Sequence, residues 1–457
     1  MVIPVALLAT SLYAPPSFEG LGSLPGGDWF YSSPTGVSLD GSVVVGESEG
    51  ANGTEAFRWS AATGMQGLGD LAGGDFYSIA FAVSPDGQAV TGWGTTAAGR
   101  EAFLWKAGGG MQGLGDVAGG NGFTAGRGVN DGGTIVIGSA RNPSGWQTMR
   151  WTATGGMYSM GDLIGDNNTV VMAVSPDCVH YVGFGAGPQG TEAYRGSVTG
   201  VKQRLGSLLA FPFSSNAYGL SPDGSIVVGS SSVALGREAF IWTEATGMLS
   251  LGDLPGGRVD SSAEAVSADG GVIVGYGTTA EDIRAVMWNR ERAILDLNEY
   301  LPSLGIVLGG WILETANAVT PDGSVIVGSG INPEGEMEGW IARIGSQISP
   351  YDRIWAGATA HPDGWRDSDW YGWFHAGAYP LLWHAEHGWQ ACFGDSDQSV
   401  FLHDLGLGAW LWTARDHYPL LYRMGGQPGW LHYARGGAPG QRQFYDYSAG
   451  AWVREGD

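Results

Sequence analysis

Four sets of side chains in this chain have the type and spacing to do chemistry. Seven aspartates, Asp40, Asp86, Asp131, Asp177, Asp223, Asp269 and Asp322, stand in turns of the Ser-Pro-Asp-Gly kind. Five glutamates, Glu55, Glu101, Glu192, Glu238 and Glu338, recur at matching places, with Gln147 and Arg284 there in two other copies. His384 and His387 flank Glu386. The fourth set is aromatic: 10 of the 20 Trp lie in residues 350–457.

Each set has a catalytic or metal reading and a structural one. A turn Asp accepts local backbone N–H bonds and tolerates turn geometry. A calcium loop instead alternates several acids within one segment, which these turns do not. A ring of five glutamates near one rim could bind cations, but a repeated hydrogen bond at a strand end is simpler. Histidines three apart suit a metal on a helix, whereas here they fall in a strand-and-turn region, and His375 and His403 are not spaced to complete a site. His180 is the one histidine before the tail, and a lone histidine is more often packed. No Gly-x-Ser-x-Gly elbow or phosphate-cradling loop occurs. No catalytic residue, metal or cofactor is therefore assigned.

The aromatic set is more suggestive. Trp and Tyr offer flat apolar faces with a polar edge, which suits sugar rings and protein interfaces. The candidates are Trp383, Trp389, Tyr422 and Trp430 in the tail. Trp311 joins them, inside the insertion Asn298 to Leu313, the largest departure from the repeat. Against this stands the need of a small domain for large rings in its core.

The elements that must hold these residues repeat. The aspartates step by 46, 45, 46, 46, 46 and 53 residues, a period that marks a repeat architecture. Each period reads as four short strands. In the first, Thr35 to Ser38 leads into a tight turn at Asp40-Gly41, and Val43-Val44-Val45-Gly46 follows. Phe57 and Trp59 then lie on one strand face, and Met65 to Gly69 ends the unit. Gly is 80 of 457 residues and no window keeps a helical period. The expected fold is all-β: a seven-bladed β-propeller over residues 18–346. The last repeat lacks its fourth strand, and Phe18 to Leu24 matches the missing piece. That N-terminal strand is expected to pair with Gly339 to Ile344 and close the ring. Residues 350–457 are expected to form a separate, aromatic-rich antiparallel β-domain. There, Trp373 to Trp389 and Trp410 to Trp430 read as two copies of one short pattern.

Ala-x-x-Val-Ser-x-Asp-Gly, Val-Val-Gly, Glu-Ala-Phe-x-Trp and Gly-Met-x-x-Leu-Gly-x-Leu, taken in order, resemble the bacterial extracellular HAF repeat. The resemblance covers residues 18 to about 345 and implies a secreted or surface-displayed bacterial protein; it implies no activity. The tail is similar to aromatic Gly-Trp hairpin tails on surface proteins of environmental bacteria.

Composition bounds the partners. The net charge of −23 argues against nucleic acid or an anionic membrane surface. Met1 to Ala14 is apolar with small residues before Pro15-Pro16, like the end of a secretory signal without its basic start, so residues 1–17 read as a possible truncated signal segment. No other stretch is apolar enough to span a bilayer. Cys178 and Cys392 fall in different expected domains and read as separate thiols. The reading favoured is a non-enzymatic adhesion protein binding glycan or protein. The alternative is a polysaccharide lyase or hydrolase with its site at a propeller channel mouth.

Overall fold

The computed structural model describes residues 16–163, 165–166, 168–200, 202–210, 213–345, 354–355, 358–361, 365–376, 381–424 and 428–455. The expected signal segment lies almost wholly outside the described residues, as does most of the boundary after Ser346. The chain divides into two compact units, residues 1–347 and 348–457.

The first unit is built mostly from antiparallel four-stranded sheets; two successive repeats join in one nine-stranded sheet through a short parallel pairing of Gly190–Thr191 with Phe213–Ser214. In the second repeat the strands are Gly73–Val83, Ala89–Thr96, Gly99–Lys106 and Gly110–Gly113, paired in chain order. The sequence explains each step. Ser84 donates its hydroxyl to Asp86 Oδ1 at 2.5 Å, the Gln88 N–H donates to the same oxygen, and the Ala89 N–H donates to Ser84 Oγ. The Ser-x-Asp-Gly turn is thus a small hydrogen-bond knot that starts the second strand. The same knot forms at Ser38/Asp40, Ser221/Asp223 and Thr320/Asp322.

Two turns depart from this pattern. In the third repeat Asn130 takes the serine's place, its Oδ1 accepting from the Thr134 and Ile135 N–H groups. Asp131 is then one position early, which corrects its alignment with the other turn aspartates; it accepts from the Asp86 N–H instead. In the fourth, Cys178 fills the glycine position at φ 56°, a conformation that costs a non-glycine residue. Cys178 and Cys392 are both buried and free.

The second strand of each repeat carries the Gly of Val-Val-Gly. At Gly92 and Gly229 an added Cβ would overlap the carbonyl oxygens of Ile79 and Asn216 on the first strand. The close approach accompanies a register shift in that first strand, between Ala80 and Ala82 and between Ala217 and Gly219. Among the described residues the shift recurs in seven first strands, at Thr35, Phe81, Arg127, Met172, Tyr218, Glu264 and Asn317. One cavity takes its lining from all seven, so the first strands converge on a common axis in a β-propeller-type arrangement. Third-strand residues Phe57, Phe103 and Phe240 are fully buried between sheets, each stabilising by about 1.5–3 kcal/mol.

The last sheet of this unit orders Ser17–Gly20, Met337–Arg343, Val325–Ile331 and Ile312–Val319. Ser17 faces Arg343 and Gly20 faces Trp340, and the Leu21 N–H donates to the Gly339 carbonyl at 2.8 Å. Pairing as a strand therefore starts one residue earlier than expected and stops at Gly20 rather than Leu24. One helix appears where none was expected, Leu297–Ser303. Asp296 caps it by accepting from the Asn298 N–H, and Leu297 and Leu301 bury the i, i+4 face.

The second unit is one antiparallel meander of eleven strands among the described residues, from Thr359–Ala360 to Ala451–Arg454. Side chains alternate across it. Phe374, Leu382, Cys392, Leu402, Leu411, Leu421, Leu431 and Phe444 form the buried face. The same face holds a fully buried Arg442, bonded to Asp404, Glu455 and His387. Burying that cation is tolerable because its donors are met by two carboxylates.

Candidate functional site

The alternate residues of this meander make its outer face, and there the register lines aromatic rings across neighbouring strands. Phe393 faces Phe401, Phe401 faces Trp412, Trp412 faces Tyr422, and Tyr422 faces Trp430. Five strands thus carry a transverse ladder of five aromatic residues. A second ladder runs Trp365, His375, Trp383, Trp389 over four strands. The Tyr422 and Trp430 rings meet edge to face at 5.3 Å, and Trp383 and Trp389 do so at 5.5 Å. Edge-to-face pairs of this kind hold each other upright. Trp389 is 47% exposed and Trp430 37%, while Trp383 and Tyr422 are half-buried.

The four tail residues expected from sequence thus all stand on the outer face, but in two ladders. Phe393, Phe401, Trp412 and Trp365 were not singled out by the sequence reading, and His375 was weighed there only as a metal ligand. For Phe393, Phe401 and Trp412 the signal existed, since each sits next to an apolar residue of the opposite face, Cys392, Leu402 and Leu411. Trp311 is placed differently. Its indole packs edge-on against Phe18 at 5.3 Å, half-buried beside the N-terminal strand. The insertion around it is pinned by Asn298, whose amide donates to the Leu313 carbonyl and accepts from the Leu313 N–H.

His384 and His387 are buried, and all four ring nitrogens are engaged. His384 Nδ1 accepts from the Glu386 and His387 N–H groups, leaving Nε2 to donate to the Tyr371 carbonyl at 2.8 Å. His387 contacts the Tyr418 hydroxyl and Arg442. Burial lowers the His384 pKa to about 4, so the ring is neutral at ordinary pH. The recurring glutamates stand near the start of third strands and accept from backbone N–H groups just past the fourth: Glu55 from Gly69, Glu101 from Gly115 and Glu192 from Gly206.

A second place with chemical content is the axial cavity, of about 230 Å³. Its lining includes Arg127, Tyr218, Glu264 and Asn317, none singled out from sequence. Their signal is one variable residue between small ones, as in Ala-Tyr-Gly and Ala-Glu-Ala, three before the turn Ser, Thr or Asn. Glu264 accepts from the Ser262 hydroxyl, and burial raises its pKa. Beside it, Arg237 bonds Asp260 and the Tyr276 hydroxyl.

No family model and no curated protein matches this chain. Among solved structures it is similar to an oligogalacturonate lyase in complex with manganese, at 15% identity and TM-score 0.46, covering 72% of this chain and 96% of that one. It is also similar to the β-propeller domain of the Trilobed protease from Pyrococcus furiosus, at 10% identity and TM-score 0.44, covering 71% and 98%. A putative TolB from Agrobacterium tumefaciens aligns at 12% identity and TM-score 0.34, covering 49% and 74%. No activity of this chain follows from these likenesses.

Proposed function

We propose that this is a secreted or surface-displayed adhesion protein that binds glycan on the outer face of its C-terminal sheet. The observation that carries the reading is the five-ring ladder from Phe393 to Trp430. Its rungs repeat at the strand spacing, about 4.8 Å, which is of the order of one sugar ring. Flat rings with polar edges at that interval suit an extended chain of sugars better than a globular partner. The net charge of −23 favours a neutral polysaccharide over an acidic one. We further infer that the N-terminal unit is a seven-bladed propeller closed by strand Ser17–Gly20, serving as a rigid, edge-free body.

The test is affinity electrophoresis of the full chain through gels containing soluble neutral polysaccharides, with Trp fluorescence read in parallel titrations. Retardation and a fluorescence change that are lost in Trp430→Ala and Trp389→Ala support the reading. Unchanged mobility of the wild type in every gel would sink it.

One observation favours an enzyme instead: Arg237, Tyr276 and Asp260 stand beside Glu264. Burial raises the pKa of both Glu264 and Tyr276, which suits a proton donor. New reducing ends or unsaturated sugars released from polysaccharide by the wild type, and not by Glu264→Gln, would favour this second reading.

A further inference from the structure

Arg127 borders the axial cavity with a guanidinium that meets no carboxylate among the described residues. Its guanidinium lies 3.8 Å over the Phe81 ring, a cation–π shelf that fixes the plane of the fork. Among the described residues it makes no hydrogen bond and no ion pair, and Nε is sealed from solvent without a partner. Other arginines of this unit are provided for: Arg204 meets Asp166 and Glu192, and Arg237 meets Asp260. Enclosure by protein pulls the Arg127 pKa down to about 10, so the group is still a cation at neutral pH. The side chain is nevertheless only half-buried and borders the axial cavity.

A half-buried guanidinium with no carboxylate beside it is well completed by an anion. The neighbours define what that anion can be attached to. Tyr218 and Glu264 line the same cavity. Burial raises the pKa of both; the phenol can donate to a ligand, and the Glu264 carboxyl can accept from a ligand hydroxyl. At about 230 Å³ the cavity is below the usual size for drug-like ligands and fits a small molecule.

We propose that the axial cavity is a binding site for a small polar carboxylate, its carboxylate held by the fork of Arg127 on the Phe81 shelf and its hydroxyls met by Tyr218 and Glu264. This site is independent of the aromatic ladders. Nothing in the repeat template requires it, since the same position holds Thr35 or Met172 in other copies.

The experiment is calorimetric titration of the full chain with sodium D-glucuronate. D-glucose serves as the uncharged analogue and sodium sulfate as an anion without hydroxyl-bearing carbon. Glucuronate should bind saturably and glucose should give no heat. Arg127→Met, which keeps the stem over Phe81, should abolish binding, and Tyr218→Phe should weaken it by roughly tenfold, the loss of about one hydrogen bond to the ligand. Arg127→Lys, which keeps charge but loses the planar fork, provides a second variant should Arg127→Met fail to fold; it too should bind more weakly. No heat with glucuronate, or equal binding by Arg127→Met, would overturn the site. Sulfate binding as tightly as glucuronate would overturn the assignment to a carboxylate.

Discussion

Glu338 Oε1 accepts a hydrogen bond from the Gly22 N–H at 2.8 Å, although 316 residues separate the two. Within single repeats Glu55 makes the same bond to Gly69 and Glu101 to Gly115, each 14 residues on. The N-terminal segment thus occupies, beside the last repeat, the place that the fourth strand holds elsewhere.

Deleting residues 17–22 should leave the Met337–Arg343 strand as a bare edge and lower the melting temperature sharply, with aggregation. Glu338→Ala alone should cost about 1–3 kcal/mol, since it leaves the Gly22 N–H and the Asn332 amide without their acceptor. Denaturant melts of both variants test this. An unchanged midpoint in the deletion would refute the role of the N-terminal strand.

Gly229→Ala should be among the most damaging single substitutions, because the new Cβ would overlap the Asn216 carbonyl oxygen on the adjacent strand. A cost above about 3 kcal/mol, or failure to fold, is expected. Gly247→Ala, with open space around its Cβ but φ 65°, should cost only about 1–2 kcal/mol. Equal melting temperatures for the two variants would contradict the close-approach account.

Acid should unfold the two units in sequence. Burial lowers the His384 pKa from 6.5 to about 4, so the unfolded chain takes up a proton that the folded sheet refuses. That contribution is fully present above pH 6.5 and is lost as pH falls toward about 4. In the repeat array, burial would raise Asp223, but the bonds from Ser221 and Ser225 outweigh it and hold the pKa below its usual value. Its stabilisation is present above the unfolded value of about 3.9 and fades only below that. Calorimetry against pH should show the tail transition falling first, and His384→Gln should flatten that fall. Simultaneous loss of both transitions below about pH 4 would count against it.

On the tail sheet, function and stability should separate by strand parity. Trp430→Ala removes a half-exposed ring and should cost about 1 kcal/mol or less in stability while weakening glycan binding several-fold. Leu431→Ala, one residue along and 2% exposed, should cost about 2–5 kcal/mol. Paired denaturation and gel-retardation measurements decide it. Binding that follows stability in both variants would argue that the rings serve packing alone.

Local chemistry determined much of this protein from sequence. A Ser-x-Asp-Gly turn knots itself through bonds spanning two to five residues, so its recurrence revealed the strands, their period and the all-β class. The concentration of Trp in the tail and its two aligned aromatic copies likewise marked Trp383, Trp389, Tyr422 and Trp430. What the tertiary structure alone decided depends on register and convergence. Whether Tyr422 meets Trp430 or Trp383 is set by cross-strand pairing, to which composition is blind. Arg127, Tyr218 and Glu264 come from repeats about 46 residues apart, and only the bulge beside each second-strand glycine turns them toward one axis. A side chain's chemistry is written in its own position, but its neighbours across a cavity are fixed by how separate sheets pack, and that geometry leaves no local trace.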